Sequence, residues 1–190
     1  IDWLNREFGA DAFRLIVGDV RDADKLEKEI GKPDVVAHFA AQVAVTTSVV
    51  NPREDFEINA LGTFNVLEAV RKSGTQPTVL YTSTNKVYGG MEDVRVSVGK
   101  TRYRYLDYPD GITEAQPLDF HSPYGCSKGA GDQYMRDYAR IYGIPTVVFR
   151  QSAIYGTRQF GIEDQGWVSW FIIAVLTNKP LTIYGDGKQV

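Results

Sequence analysis

The chain has 190 residues, 43% of them hydrophobic and 24% charged, with a formal net charge of −3. That length can bury one substantial core, and mild acidity without a basic stripe argues against a nucleic-acid partner. No apolar run is long enough to span a bilayer, and the single cysteine, Cys126, rules out an internal disulfide, so a reducing, cytoplasmic setting is expected.

The first residues are Ile1-Asp2-Trp3, with no Met, and the last are Gly187-Lys188-Gln189-Val190. Both ends read as cuts through a fold, so a piece of a longer protein is expected. Residues 1–9 place Trp3, Leu4 and Phe8 on one helical face, with Gly9 as a stop. Phe13 to Val17 is a short apolar strand pattern ending in Gly18-Asp19-Val20. Asp22 to Ile30 predicts a helix with Asp22 and Asp24 in its first turn, broken by Gly31-Lys32-Pro33. Asp34 to Ala40 predicts another strand. Asn51 and Pro52 can cap and start a helix carrying Phe56, Leu61, Phe64, Leu67 and Val70, which stops near Gly74. Thr78 to Thr82 predicts a strand. Residues 89–121 show little periodicity and read as a long loop. A helix over 123–142 follows, with Ser122 as cap, then a strand from Thr146 to Arg150. A helix from Asp164 to Thr177 and a strand from Leu181 to Tyr184 complete the series.

Short strands, apolar on both faces and alternating with helices, predict a parallel sheet covered by helices. Ligands of such sheets sit beyond the carboxyl ends of the strands. Asp19-Val20, Ala40-Ala41-Gln42, Ser83-Thr84 and Gln151-Ser152 fall there.

Two polar clusters suit hydride chemistry. Tyr124 and Lys128 lie one helical turn apart and face the same side. Ser83 and Thr84 end an apolar run about forty residues earlier. Taking hydride from a secondary alcohol also requires removing its hydroxyl proton, and a phenol with a pKa of ~10 is a poor base near neutrality. Lowering that pKa by about two units takes roughly 2.7 kcal/mol. One cation about 4 Å away supplies roughly 4 kcal/mol at an effective dielectric of about 20, before desolvation. Thr84 or Ser83 could hold the substrate oxygen. Alone, Tyr-x-x-x-Lys is commonly an exposed lysine beside a half-buried aromatic; the companion hydroxyls set this one apart.

Six stretches occur in order: Gly18-Asp19-Val20, His38-Phe39-Ala40-Ala41, Asn59-Ala60-Leu61-Gly62-Thr63, Thr82-Ser83-Thr84 with Val87-Tyr88-Gly89, Tyr124-x-x-x-Lys128, and Ile183-Tyr184-Gly185-Asp186-Gly187. This series resembles the extended short-chain dehydrogenase/reductase family in its sugar-nucleotide epimerase/dehydratase branch. The resemblance covers nearly the whole chain. It implies a Rossmann-like, doubly wound α/β sheet, here a fragment lacking the first βαβ glycine-rich loop and the C-terminal substrate domain. Residues 1–150 would be the incomplete dinucleotide-binding domain and 151–190 the start of the substrate-binding part.

The resemblance further implies NAD as cofactor and a nucleotide sugar as substrate. Asp19 and Val20 would contact the adenine. Phe39, Ala40, Ala41 and Gln42 would line the cofactor, Asn59 would fix its side, and Thr82 and Ser152 would also lie against it. Thr84 would take the catalytic hydroxyl position, Tyr124 the acid/base position and Lys128 the ribose-binding position. Asn85, Lys86, Gln151, Arg158 and Gln165 would face the substrate, with Arg158 suited to a diphosphate. Helices 51–73 and 123–142 could pair across a homo-oligomer.

Dehydratases of the branch carry an acidic pair after the Thr84 position; here it is Asn85-Lys86. That string, with Tyr124-Gly125-Cys126-Ser127-Lys128-Gly129, Arg158-Gln159-Phe160 and Asp164-Gln165-Gly166-Trp167, is similar to the CDP-paratose (CDP-tyvelose) 2-epimerase group. The implied reaction is C2 epimerisation of a CDP-3,6-dideoxyhexose through a keto sugar. The alternatives are a 4-epimerase or 4-reductase on another nucleotide sugar, or a non-catalytic fragment. Ala153 replaces the substrate-holding Asn of many relatives, and no Gly-x-Gly-x-x-Gly is present. His38 reads as packing or cofactor wall, Cys126 as a small helix residue, and Trp167 and Trp170 as core or sugar platform. With two histidines and one cysteine, no metal site is expected.

Overall fold

Residues 2–9 and 12–188 are described by a computed structural model; Ile1, Gln189 and Val190, the outermost residues of the two abrupt ends, lie outside them. The chain runs through α1 (Asp2–Phe8), α2 (Ala23–Glu29), β1 (Val35–His38), α3 (Val45–Val50), α4 (Pro52–Phe56), a π-helical turn (Glu57–Leu61) and α5 (Gly62–Lys72). It continues with β2 (Thr78–Thr84), a 3₁₀ turn (Asn85–Tyr88), β3 (Val96–Val98), β4 (Tyr103–Tyr105), α6 (Ser122–Tyr142), β5 (Thr146–Gln151) and α7 (Trp167–Leu176).

β1, β2 and β5 form a three-stranded sheet in the order β1-β2-β5. Both pairings are parallel, with Val36 opposite Val79, Tyr81 opposite Val148, and Thr84 opposite Gln151. The expected parallel sheet is therefore present. Its core joins Leu67 and Val70 of α5, Val79 and Tyr81 of β2, and Met135 and Tyr138 of α6, with Ile144 below. Each such apolar side chain contributes about 1.5–3 kcal/mol on burial.

Helix α6 crosses β2 closely because residue 131 is glycine: a Cβ there would lie 2.5 Å from the Tyr81 hydroxyl. That hydroxyl donates to the Lys128 carbonyl at 3.2 Å. Gly143 ends the helix in the left-handed conformation, φ 69°, which an L side chain adopts only with strain. At the other end the Ser122 hydroxyl accepts the Gly125 N–H at 3.2 Å, doing the work expected of a cap from inside the first turn. Asn51 caps α4 through the Glu54 N–H, with Pro52 at its start, as the sequence predicts.

Several expected elements differ. Phe13–Val17 and Leu181–Tyr184 form no strand; among the described residues no strand lies beside either to complete a ladder, and propensity alone does not hold a lone strand. The helix expected over 51–73 is three segments, because the π-helical turn inserts an extra residue's worth of backbone around Asn59. The long loop 89–121 contains the antiparallel pair β3–β4. Helix α3 was not expected, since its Val-Thr-Thr-Ser-Val-Val run is β-branched and a poor helix former. Helix α7 starts at Trp167, not Asp164, because Ile162 and Gln165 pair across a turn first.

One polar tie joins β2, β5 and α6. Arg150 grips Asp132 with two hydrogen bonds of 2.9 Å, and it donates to the Tyr88 hydroxyl at 3.0 Å. Ser83 donates to the same carboxylate at 2.8 Å. Asp132 is 1% exposed, so the pair is held in the interior. Removing one partner of a buried ion pair strands the other. Arg150→Met should therefore cost about 3–5 kcal/mol, read as a lower midpoint in urea denaturation; an unchanged midpoint would remove this tie from the account.

Candidate active site

At the carboxyl ends of β2 and β5 opens a cleft of about 520 Å³. Its walls bring together Thr82, Thr84, Asn85 and Lys86 from the end of β2, Tyr124 and Lys128 from α6, and Gln151 and Ser152 from the end of β5. Phe39 and Ala41 follow β1 into the same wall, and Gln165 closes one side by donating to the Val43 carbonyl at 3.0 Å. Parallel pairing sets Thr84 beside Gln151, and paired residues emerge on one face. Gln151 Oε1 is buried without a hydrogen bond, so an acceptor stands free beside Thr84.

Asn59 and Gln42 stand behind this wall. Asn59 is 1% exposed and clamps the Gln42 backbone, accepting its N–H at 3.0 Å and donating to its carbonyl at 2.9 Å. The π-helical turn aims Asn59 at this loop; such turns recur at functional sites. Ala40 follows β1 outside the cleft wall. Asp19 and Val20 lie at a second, smaller cleft of about 280 Å³. There Val20 packs against Gly62 of α5 and its carbonyl accepts from Asn65 at 3.0 Å. Asp19 pairs with Arg21 at 2.6 Å, and that hydrogen bonding holds its carboxyl down at about 2. Arg158 is not brought into the main cleft; its guanidinium sits 3.7 Å over the Trp3 ring. Trp167 lines the cleft and is 57% exposed, so it is not core. Trp170 carries the Lys179 ammonium over its ring.

Lys128 is the unusual group. It is 2% exposed, its ammonium sits 4.2 Å over the Tyr81 ring, and among the described residues no carboxylate lies within 4 Å of it. Burial pulls its pKa down to about 8, against the opposing attraction of Asp55 and then Asp132. His38, buried in β1, is pushed down to about 4 by burial and then by Lys128, so it is neutral at physiological pH. Thr63 donates to the Asn59 carbonyl at 2.6 Å and so accepts from His38 Nε2 at 2.9 Å. That network assigns the proton to Nε2. Of the two roles expected for it, packing or cofactor wall, His38 takes packing, stacked on Tyr81.

The phenol of Tyr124 departs from the expected acidification. Burial raises its pKa, the Thr84 hydroxyl close by only partly offsets this, and the Asp55 carboxylate adds to the rise. Thr84 itself accepts the Lys86 N–H at 3.2 Å, which fixes its hydroxyl at the cleft.

The residues suit a nicotinamide dinucleotide. A buried ammonium without an ion pair favours an electron-rich partner such as ribose hydroxyls. Ala41 lets a flat ring approach the backbone, and Gln42 is held by its clamp. Among the described residues no group of three or more His, Cys, Asp or Glu is placed to hold a metal, and no helix is long and apolar enough to cross a membrane. Sequence reasoning missed Ser48, which accepts the Tyr124 N–H at 3.2 Å, because it lies on the unexpected α3. It also missed Asp55 and Asp132. Their signal was present: Asp55 stands one turn before Asn59, and Asp132 one turn after Lys128 on the Tyr124 face.

The carboxyl edge of a parallel sheet thus carries a hydroxyl, a phenol and a buried ammonium in one cleft. The chain belongs to the NAD dependent epimerase/dehydratase family, whose pattern matches residues 3–190; the resemblance read from the sequence is borne out. It is 53% identical over 185 residues to the CDP-paratose 2-epimerase of Salmonella typhi, covering 94% of this chain and 55% of that protein. It is 39% identical over 177 residues to a putative UDP-glucose 4-epimerase of Methanocaldococcus jannaschii, covering 92% and 52%. A dTDP-glucose 4,6-dehydratase from Streptomyces venezuelae, solved with NAD bound, superposes with a TM-score of 0.72 at 30% identity, over 96% of this chain and 52% of that one. The chain thus spans about half the length of the curated relatives it matches.

The Lys128 ammonium is stability withheld. The unfolded chain keeps this proton up to about 10.5 and the folded chain loses it near 8. Between these values the unfolded state binds more protons, so stability rises with pH. Below 8 the full penalty, about 3 kcal/mol, is present. Lys128→Met should stabilise the fold by about 1–3 kcal/mol at pH 7, and urea denaturation should show that gain shrinking as the pH approaches 10.5. A gain that does not vary with pH would contradict the burial of a charged amine.

Proposed function

We propose that this chain is the catalytic and cofactor-binding part of an NAD-dependent epimerase that inverts C2 of a CDP-3,6-dideoxyhexose through a transient keto sugar. The observation that carries the reading is one cleft lined by Thr84, Tyr124 and Lys128, with Asn85 and Lys86 at the position after Thr84. An amide and an ammonium there offer no carboxyl pair for eliminating water. The 53% identity to a CDP-paratose 2-epimerase supports the sugar and the base.

A ring C2–H of a sugar is not acidic, so direct proton removal cannot invert it; oxidation to a ketone can. Bound NAD supplies the hydride acceptor and, on return, the hydride donor. Tyr124 takes the C2 hydroxyl proton and later gives it back. Thr84 donates a hydrogen bond to the oxygen as it becomes a carbonyl. Lys128, at the cleft, would supply positive charge and would hold the cofactor's ribose hydroxyls. Phe39, Ala41, Thr82 and Ser152 would line the cofactor, Gln42 and Asn59 would support that wall from behind, Ala40 would lie beside it, and Asp19 and Val20 would take the adenine end. Asn85, Lys86, Gln151 and Gln165 hold the sugar nucleotide. Between the two transfers the flat keto sugar turns its other face.

Incubation of the complete protein with CDP-paratose in D₂O, followed by NMR, tests the reading. C2 inversion without solvent deuterium at C2 is expected. Inversion at C4 of a UDP-sugar, with CDP-paratose untouched, would move the assignment to a 4-epimerase, and deuterium at C2 would exclude hydride return. Tyr124→Phe should lower kcat by about 10²-fold or more; near-normal turnover would remove its acid/base role.

A further inference from the structure

One buried carboxylate has no part in the steps above. Asp55 of α4 is 0% exposed. Its Oδ1 accepts from Gln42 Nε2 and from Asn59 Nδ2, each at 3.0 Å. Its Oδ2 is equally buried and makes no hydrogen bond of ordinary geometry; burial raises the pKa of this carboxyl, and the nearby Ser127 hydroxyl only partly offsets the rise. A bare carboxylate oxygen in the interior is costly unless a cation faces it. Lys128, the residue after Ser127, is the complementary case: a buried ammonium on the helix packed against α4, without an ion pair within 4 Å among the described residues.

The other groups facing Lys128 are already committed. Asp132, one turn along α6, is gripped by Arg150 and Ser83. His38 of β1 bonds Thr63. Tyr81 of β2 offers its ring face and gives its hydroxyl to the helix backbone. Tyr124 on the same helix is a neutral phenol beside Thr84. Among the described residues facing Lys128, Asp55 alone has a buried carboxylate oxygen without a hydrogen bond of ordinary geometry.

We propose that Asp55 is a positioning residue that keeps Lys128 protonated, a buried counterion fixed by Gln42 and Asn59 and acting on the chemistry only through the lysine. The mutual attraction has the right sign: Asp55 leads the groups that raise the affinity of Lys128 for its proton against burial, and although burial raises the pKa of Asp55, Lys128 is among the groups that oppose that rise, after Ser127 and Asn59. The same Asn59 and Gln42 shape the cofactor wall, so the charge and the wall are locked in one register. This inference rests on the role given to Lys128 under Proposed function.

Asp55→Asn separates charge from shape, since an amide oxygen can still accept from Gln42 and Asn59. In the complete protein with selectively labelled lysine, the Lys128 amine, identified by its loss in Lys128→Met, should titrate about one pH unit lower in Asp55→Asn. The alkaline limb of kcat/KM should move down by the same amount, leaving about a fivefold loss at pH 8 and little loss at pH 6. Asp55→Glu should restore part of the shift. An unmoved Lys128 titration in folded Asp55→Asn overturns the proposal. Should that variant not fold, Lys128→Met carries the test: the Asp55 carboxyl must then titrate at higher pH than in the unmodified protein, and an unmoved value overturns the proposal. A shifted lysine in a protein that epimerises nothing would sink the functional reading and leave this coupling standing.

Discussion

The structure turns on one ammonium that is almost wholly buried at the floor of the cleft. Lys128 is held between the Tyr81 ring and the α4–α6 contact, at the carboxyl edge of a parallel sheet. Burial acts against its charge more strongly than its neighbours act for it. A protein that selected only for stability would put an apolar side chain there. The position makes physical sense as a charge waiting for a partner.

The surroundings are built to hold that charge in register with the cleft. Gly131 lets α6 approach β2, so the lysine can reach under the sheet's edge. The Arg150–Asp132–Ser83 tie fixes the same helix to β2 and β5. On the other side, the π-helical turn delivers Asn59 to the Gln42 backbone and to Asp55 at once. Thr84 and Gln151 are neighbours because the β2–β5 register makes them so. Fold and site are thus coupled through a few polar contacts at the strand ends, while the apolar core below supplies most of the burial.

Much of this was readable in advance. Alternating apolar runs and amphipathic segments gave the parallel sheet, and the four-residue spacing of Tyr124 and Lys128 put both on one helical face. What was not readable depends on neighbours in space. Phe13–Val17 has the composition of a strand but no described strand beside it. Val45–Val50 has the wrong composition for a helix yet forms one because Ser48 bonds both Val45 and Tyr124. Arg158, a reasonable phosphate ligand by chemistry, stacks on Trp3. Asp55 and Asp132 were visible as polar residues on buried helical faces, but their meaning came only with their partners.

Most instructive is the phenol. Coulomb's law with one nearby cation predicts an acidified tyrosine; in the fold, burial raises the pKa of Tyr124, and the Thr84 hydroxyl only partly offsets it. The acid/base role proposed for Tyr124 would therefore draw on a second positive charge at the cleft, which an oxidised nicotinamide carries. Ultraviolet titration of the complete protein, with the Tyr124 signal isolated by subtracting Tyr124→Phe, measures this directly. The account predicts a phenol that ionises above its ordinary ~10 without cofactor and at a distinctly lower pH with NAD bound. The same titration curve in both states would contradict it.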